Sequence, residues 1–280
     1  MMKEEIMVSI ICNAYNHERY IRDALEGFVM QKTSFSYEVL IHDDASTDST
    51  ADIIREYEAR YPNLIKPIYQ TENQYMKVSS INNEFQYPRA MGKYIAICEG
   101  DDYWTDPYKL QKQVYLLEKY PNVDMCAHTS SVLNAATGKI IEQKKISNSP
   151  GIIPVECIIL GGGGFVSTAS LVFRKSMLEC VPKFRSILGL DYTLQINGAL
   201  RGGMLYLPDD MSVYRSNVSA SWTQRTKNSL NYQIVHRIRV LDMLKQLDID
   251  TLGKYHNEIR RVAARVRAKL MLAEMKSFIL

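Results

Sequence analysis

The chain has 280 residues, 46% of them hydrophobic and 23% charged, with a formal net charge of +3. That length suits one large α/β domain, alone or with a helical appendage, and no low-complexity segment suggests disorder. The charge is too small for nucleic acid to be the main partner. It is also uneven: from Lys254 onward there are seven Lys/Arg against two Asp/Glu, a local +5. The five cysteines, Cys12, Cys98, Cys126, Cys157 and Cys180, are odd in number, form no C-x-x-C pair and sit mostly in apolar runs. Buried thiols in a reduced, cytoplasmic protein are the expectation, not a disulfide framework. The five histidines have no zinc spacing. "MMKEEIMVSIIC" is acidic and short, unlike a signal peptide, and four successive glycines in "CIILGGGGFVSTASLVF" argue against a membrane span.

In chain order, "MVSIICNAYN" reads as a buried strand ending near Asn13. "HERYIRDALEGFVMQ" then sets Ile21, Leu25, Phe28 and Val29 on one helical face. "YEVLIHDDASTDST" repeats the scheme, with Asp48 or Ser46 capping a helix through "ADIIREYEARY". "LIKPIY" and "KYIAIC" supply two strands, "DPYKLQKQVYLLEKYP" a helix opened by Pro107, and "VDMCAHTSSVL" another strand. Strand and helix alternate to about residue 130, which predicts an α/β fold with a mostly parallel sheet flanked by helices. After residue 150 the alternation breaks. "GGGGFVSTASLVFRKSMLECV" reads as a loop, a strand near 169–174 and a short helix; "LDYTLQINGALRG" reads as a helix, and "MLYLP" and "MSVYR" as strands. Two helices, near 226–247 and 253–277, form a C-terminal extension, giving expected units of 1–222 and 223–280.

In such sheets ligands bind at the carboxyl ends of the strands. The polar clusters "NAYN", "DDAST" and "EGDD" all fall there. The last holds Glu99, Asp101 and Asp102, and carboxylates about 4 Å apart repel by roughly 4 kcal/mol at an effective dielectric near 20. Folding alone would not select them. Carboxylates beside a strand end can hold a hard divalent cation, Mg²⁺ or Mn²⁺, which bridges one or two of them to substrate phosphates. There is no G-x-x-x-x-G-K-[ST], and "GGGG" lacks the G-x-G-x-x-G spacing. A nucleotide held by metal and side chains fits better.

Together, "VSIICNAYN", "IHDDASTDST", "GKYIAICEGDD" and the later "LDY" resemble the family 2 glycosyltransferases of the GT-A fold, over about residues 6–222. The resemblance implies inverting transfer of a sugar from a nucleotide-diphosphate donor, with a UDP-sugar as the expectation, to a hydroxyl of a glycan or lipid-linked glycan in bacterial surface polysaccharide synthesis. It matches Asn13, Tyr15 and Asn16 to the loop that meets the nucleotide, and Asp43 and Asp44 to the pair that contacts base and ribose. Asp101 and Asp102 match the metal motif, Asp101 also facing the nucleotide. Glu99 stands where that motif usually has Asp, leaving it a metal or a ribose contact. Asp191 matches the general base, although Leu190 replaces the usual preceding Glu. Lys77 or Arg89 could reach the diphosphate, and Arg215 and Trp222 could border donor and acceptor. A single displacement with inversion needs one carboxylate to take the acceptor's proton, unlike the paired carboxyls of a glycosidase.

Two other readings fit the same sheet. A metal-dependent sugar nucleotidyltransferase would carry a Gly-rich basic loop after the first strand, and "CNAYNHERY" has no glycine. The third is a non-catalytic nucleotide-sugar-binding module. In the tail, Ile259, Val262, Val266, Leu270 and Ala273 form one stripe beside Arg261, Arg265 and Lys269. Such a helix can lie peripherally on an anionic membrane at its inner face, dock on its own domain, or meet a second copy in a homodimer.

Overall fold

The computed structural model describes residues 5–189, 191–218 and 229–277; Trp222 and Leu190 lie outside them. Ten strands form one sheet: β1 (Ile6–Ala14), β2 (Ser36–Asp43), β3 (Ile65–Tyr69), β4 (Tyr94–Ile97), β5 (Tyr103–Trp104), β6 (Met125–Asn134), β7 (Lys139–Lys144), β8 (Gly151–Ile153), β9 (Val172–Arg174) and β10 (Met204–Ser216). The order is β3-β2-β1-β4-β9-β6-β10-β5, with β7 beside β6 and β8 beside β10. The first four strands are parallel, as are β6 and β10, whereas β5, β7, β8 and β9 pair antiparallel. The parallel half is the half whose strands alternate with helices in the sequence.

The helices are α1 (Ile21–Val29), α2 (Thr50–Arg60), α3 (Lys109–Lys119), α4 (Val155–Gly161), α5 (Lys183–Leu188), α6 (Asp191–Ala199), α7 (Leu230–Asp250) and α8 (His256–Ser277). Side chains along a strand alternate between faces, and β1 and β4 show the consequence. Val8, Ile10, Cys12, Tyr94 and Ala96 pack with α1, α2 and α3, while Ile11, Ile95 and Ile97 pack into the core shared with α4 to α8. Both faces are therefore apolar, which is why these strands read as continuous hydrophobic runs.

Two expectations change, and one helix is added. "MLYLP" and "MSVYR" are one 13-residue strand whose register with β6 shifts between Leu207 and Ser212; Pro208, which has no N–H to donate, sits at that irregularity. The apolar residues before the glycines form α4, and Gly162, at φ 77°, lets the chain leave it. Cys157 and Cys180 are exposed, whereas Cys12, Cys98 and Cys126 are buried as expected, and all five are free thiols. Asp48 sits at the start of α2, accepting from the Thr50 amide at 2.9 Å, while Ser46 bonds Asp43 instead.

The tail stripe docks on its own chain: Ile259, Val262 and Ala273 are buried, and Val266 packs against the same core as α7. Arg260, Arg261, Arg265 and Lys269 remain exposed, Arg265 Nη2 donating to Leu160 O of α4 at 2.6 Å. No helix among the described residues is long and apolar enough to cross a membrane.

One core residue is unusual. Lys109 is fully buried, with Nζ 2.8 Å from Gln113 Oε1 and 4.0 Å from the centre of the Trp104 ring. Burial pushes its pKa down to about 7. Between that value and the ordinary lysine range near 10.5 the unfolded chain binds the extra proton, so this group's contribution to stability rises with pH there. In urea titrations, wild type should gain stability relative to Lys109→Met on going from pH 7 to pH 9. An unchanged difference would show that Lys109 titrates normally.

Candidate active site

The acidic turn grows from the β1–β4 pairing. Past the end of β4 the Cys98 amide donates to Ile11 O at 3.0 Å and the Gly100 amide to Asn13 O at 2.9 Å. These bonds set Glu99 beside Asn13, whose Nδ2 reaches Glu99 Oε1 at 3.5 Å and Asn82 Oδ1 at 2.9 Å. A Cβ on Gly100 would come within 2.9 Å of His17 Nδ1 and Ile21 Cδ1, so any larger residue would have to displace those side chains. The chain then closes through the Asp102 amide on Glu99 O, at 3.0 Å.

Asp102 is buried, and Arg215 surrounds the turn. The Arg215 amide donates to Asp102 Oδ1 at 2.8 Å, its Nη1 to Asp101 O at 2.9 Å, and its Nη2 pairs with Asp23 of α1. Its guanidinium lies 4.4 Å from the Tyr103 ring centre and 5.2 Å from that of Tyr20. Burial and the neighbouring Asp101 charge push the Asp102 carboxyl well above the usual carboxylate range. Glu99 is pushed up to about 8, by burial first and then by Asp101 and Asp191.

Glu99 and Asp191 open onto one cavity of about 120 Å³, lined also by Asn82, Tyr87, Thr168 and Arg185. Asp191 begins α6, and its Oδ2 accepts from Thr168 Oγ1 at 2.5 Å. The crevice walls raise its carboxyl pKa, while that hydrogen bond and the Lys144 charge pull it down. Lys144, at the end of β7, lies 5.0 Å from the Tyr214 ring centre and feels both Asp102 and Asp191.

The second-strand cluster is engaged within the chain. Asp43 accepts from the Ser46 amide and hydroxyl, at 3.2 and 2.5 Å. Asp44 accepts from the amides of Gln74 and Tyr75, at 2.7 and 3.1 Å, and so fixes the loop after β3. Asn16, at φ 56°, accepts from the Thr47 amide at 2.8 Å while its own amide donates to Ser46 Oγ at 3.0 Å, tying the loops after β1 and β2 together. Tyr15 is exposed beside it. Lys77 pairs with Glu72 at 2.6 Å on an exposed loop. Arg89 is occupied beneath the sheet edge by Lys66 O, Ile41 O and Gln86 Oε1. The fold thus brings Glu99 and Asp191 to one cavity, with Asn13, Asp101 and Asp102 on and beside the turn that carries Glu99, and Asn16, Asp43 and Asp44 along the adjoining strand ends. Arg215 is there too, but as a brace of the acidic turn.

Sequence reading missed Thr168, Arg185, Lys144 and Asn82. Only Thr168 lies in a quoted motif, "VSTAS", and nothing local marks it as the partner of a carboxylate 23 residues later.

Among the described residues no three His, Cys, Asp or Glu side chains form a metal cage. A magnesium-like cation does not need one, since it keeps waters and takes one or two carboxylates plus phosphate oxygens. Asp101 and Asp102, adjacent, mutually repelling and partly desolvated, are a donor set of that chemistry.

Comparison with known proteins gives the family and the fold. An uncharacterized protein of Mycobacterium tuberculosis is 38% identical over 218 residues, covering 77% of this chain and 60% of its own length. The chain thus spans less than two thirds of that relative. Among solved structures, residues 1–349 of Staphylococcus aureus TarS in complex with UDP-GlcNAc align with a TM-score of 0.61 at 15% identity, covering 90% of this chain and 72% of that one. The mannosyltransferase PcManGT of Pyrobaculum calidifontis, in complex with GDP-Man and Mn²⁺, aligns with a TM-score of 0.56 at 18% identity, covering 96% and 75%. These likenesses give the GT-A fold. The model of glycosyl transferase family 2 matches residues 9–180, well over half of the chain, and the protein belongs to that family.

Proposed function

We propose that the chain is an inverting glycosyltransferase that moves a sugar from a nucleotide-diphosphate donor, a UDP-sugar in the first instance, to a hydroxyl of a glycan or lipid-linked glycan. The observation that carries this reading is the single cavity shared by Glu99, at the end of β4, and Asp191, at the start of α6. It gives one carboxylate on the donor side and one positioned for proton abstraction. Asn13, Tyr15, Asn16, Asp43 and Asp44 would receive the nucleotide along the ends of β1 and β2, where loops already tied by Asn16 need little further ordering.

Asp101 and Asp102, with Glu99 beside them, would hold Mg²⁺ or Mn²⁺, which when bound offsets charge on the leaving diphosphate. The TarS and PcManGT complexes, with UDP-GlcNAc and with GDP-Man and Mn²⁺, support a nucleotide-sugar donor and such a cation. Asp191 takes the acceptor proton at Oδ1 or Oδ2. Its bond to Thr168 fixes the rotamer, and the partly desolvating crevice makes the carboxylate a better base than it would be in water. In this reading α7 and α8 are the helical part of a second unit expected over 223–280. The exposed Arg260, Arg261, Arg265 and Lys269 supply a basic face for peripheral contact with an anionic membrane. Sedimentation with anionic but not neutral vesicles is the expected result, and indifference to lipid charge would remove that contact.

Asp191→Asn should lower turnover by at least about 10²-fold while donor affinity stays unchanged. Turnover of a sugar-nucleotide panel at the wild-type rate would exclude Asp191 as the base. In thermal shift, a nucleoside diphosphate at 100 times its Kd should add about 2.7 kcal/mol of stability. The part of that gain requiring Mn²⁺ should vanish in Asp102→Asn; a metal-dependent shift that survives the substitution would place the cation elsewhere.

A further inference from the structure

The cavity between Glu99 and Asp191 has one cationic wall for which the transfer reaction, as read above, has no use. Arg185 reaches that lining from α5, and its Nη1 is buried with no hydrogen-bond partner among the described residues. The Tyr87 phenol, which lines the same cavity, is its hydrogen-bonding neighbour and leaves Nη1 unmatched; no carboxylate of the described residues forms an ion pair with the guanidinium. A guanidinium keeps its charge inside a protein, and a buried charged donor left unmatched bears its full desolvation penalty.

The side chain cannot simply swing out with its helix. Phe184 and Leu188 anchor α5 in the core, the Phe184 amide donates to Asp250 Oδ2 at 2.9 Å, and Arg239 Nη2 donates to Ile187 O at 2.7 Å. The two cavity carboxylates have other contacts, Glu99 with Asn13 and Asp191 with Thr168. Ser80, Asn82, Asn83 and Ser186 complete a polar lining. Arg185 is therefore a fixed, desolvated cation facing the space where the reacting groups meet. The planar fork of arginine is matched by two oxygens of a carboxylate or phosphate, not by a lone hydroxyl.

We propose that Arg185 receives an anionic oxygen group of the substrate seated between Glu99 and Asp191, which makes it a specificity-determining residue. The inference rests on the transferase reading. The group is either a carboxylate on the transferred sugar or a phosphate on the acceptor side.

Calorimetry on the full chain with Mn²⁺ separates these sources. UDP-glucuronate against UDP-glucose reads the carboxylate, and inorganic phosphate titrated into UDP-saturated protein reads the phosphate. One arm should show a preference of at least about tenfold in wild type, lost in Arg185→Met and partly kept in Arg185→Lys, with UDP affinity equal in all three. If Arg185→Met does not fold, the wild-type preference and its weakening in Arg185→Lys decide the matter. UDP binding with neither arm favoured, or with a preference that survives Arg185→Met, overturns the proposal. Failure of UDP and GDP to bind wild type at all overturns the transferase reading instead. Phosphate and glucuronate titrated alone into wild type and Arg185→Met then decide the anion site on its own: binding lost in the variant supports it, and no difference overturns it.

Discussion

Three carboxylates within four residues can persist at the end of a central strand because Arg215 holds the turn that carries them. Its backbone amide satisfies Asp102, its side chain satisfies the Asp101 carbonyl, and its charge is balanced outward by Asp23. Two aromatic rings cover the guanidinium and keep it desolvated. The result is a turn whose backbone is rigid while the Glu99 and Asp101 side chains keep acceptor capacity for something else. Such preorganisation is what a site needs if charge develops during its reaction. The elevated pKa values of Glu99 and Asp102 are the electrostatic cost of the arrangement.

The parallel half of the fold was legible because the same residues encode strand, face and end. In β1 and β4 the alternating Ile10/Ile11 and Ala96/Ile97 are apolar on both faces, and polarity begins where the sheet stops. Glu99, Asp101 and Asp102 stand out because three carboxylates crowd the end of an apolar run, whereas Asn13 and Asp191 stand out only through the resemblance of their motifs to the family. Less local facts were not readable. One strand running through Pro208 looks in sequence like two, since the register shift that accommodates proline is set by β6. The stripe from Ile259 to Ala273 has the same pattern whether it faces a bilayer or α7, and only packing decides. Arg185 sits in "KFRSIL", where a helical arginine looks like any solvated one; its neighbour in the cavity, Tyr87, lies nearly a hundred residues earlier.

The crevice thus has a floor and a wall of different origin. The floor comes from the ends of β1 and β4 and is fixed by backbone ladders. The wall comes from α5, held from behind by Asp250 and Arg239 of α7. Ladder hydrogen bonds tolerate little displacement, whereas a six-residue helix clipped at two points can be re-aimed by changing its brace. On the proposed reading, the acidic turn sits on the rigid part and Arg185 on the adjustable one.

The contact between Arg215 and Asp102 spans 113 residues. During synthesis the acidic turn therefore leaves the ribosome well before the strand that neutralises it, by on the order of ten seconds at usual elongation rates. Over that interval the three carboxylates lack the Arg215 contacts that hold their turn in the folded chain. Closure of this corner must wait for β10 to add beside β6, a parallel pairing with a long loop to close. The part of the molecule suited to chemistry is thereby among the last to become native.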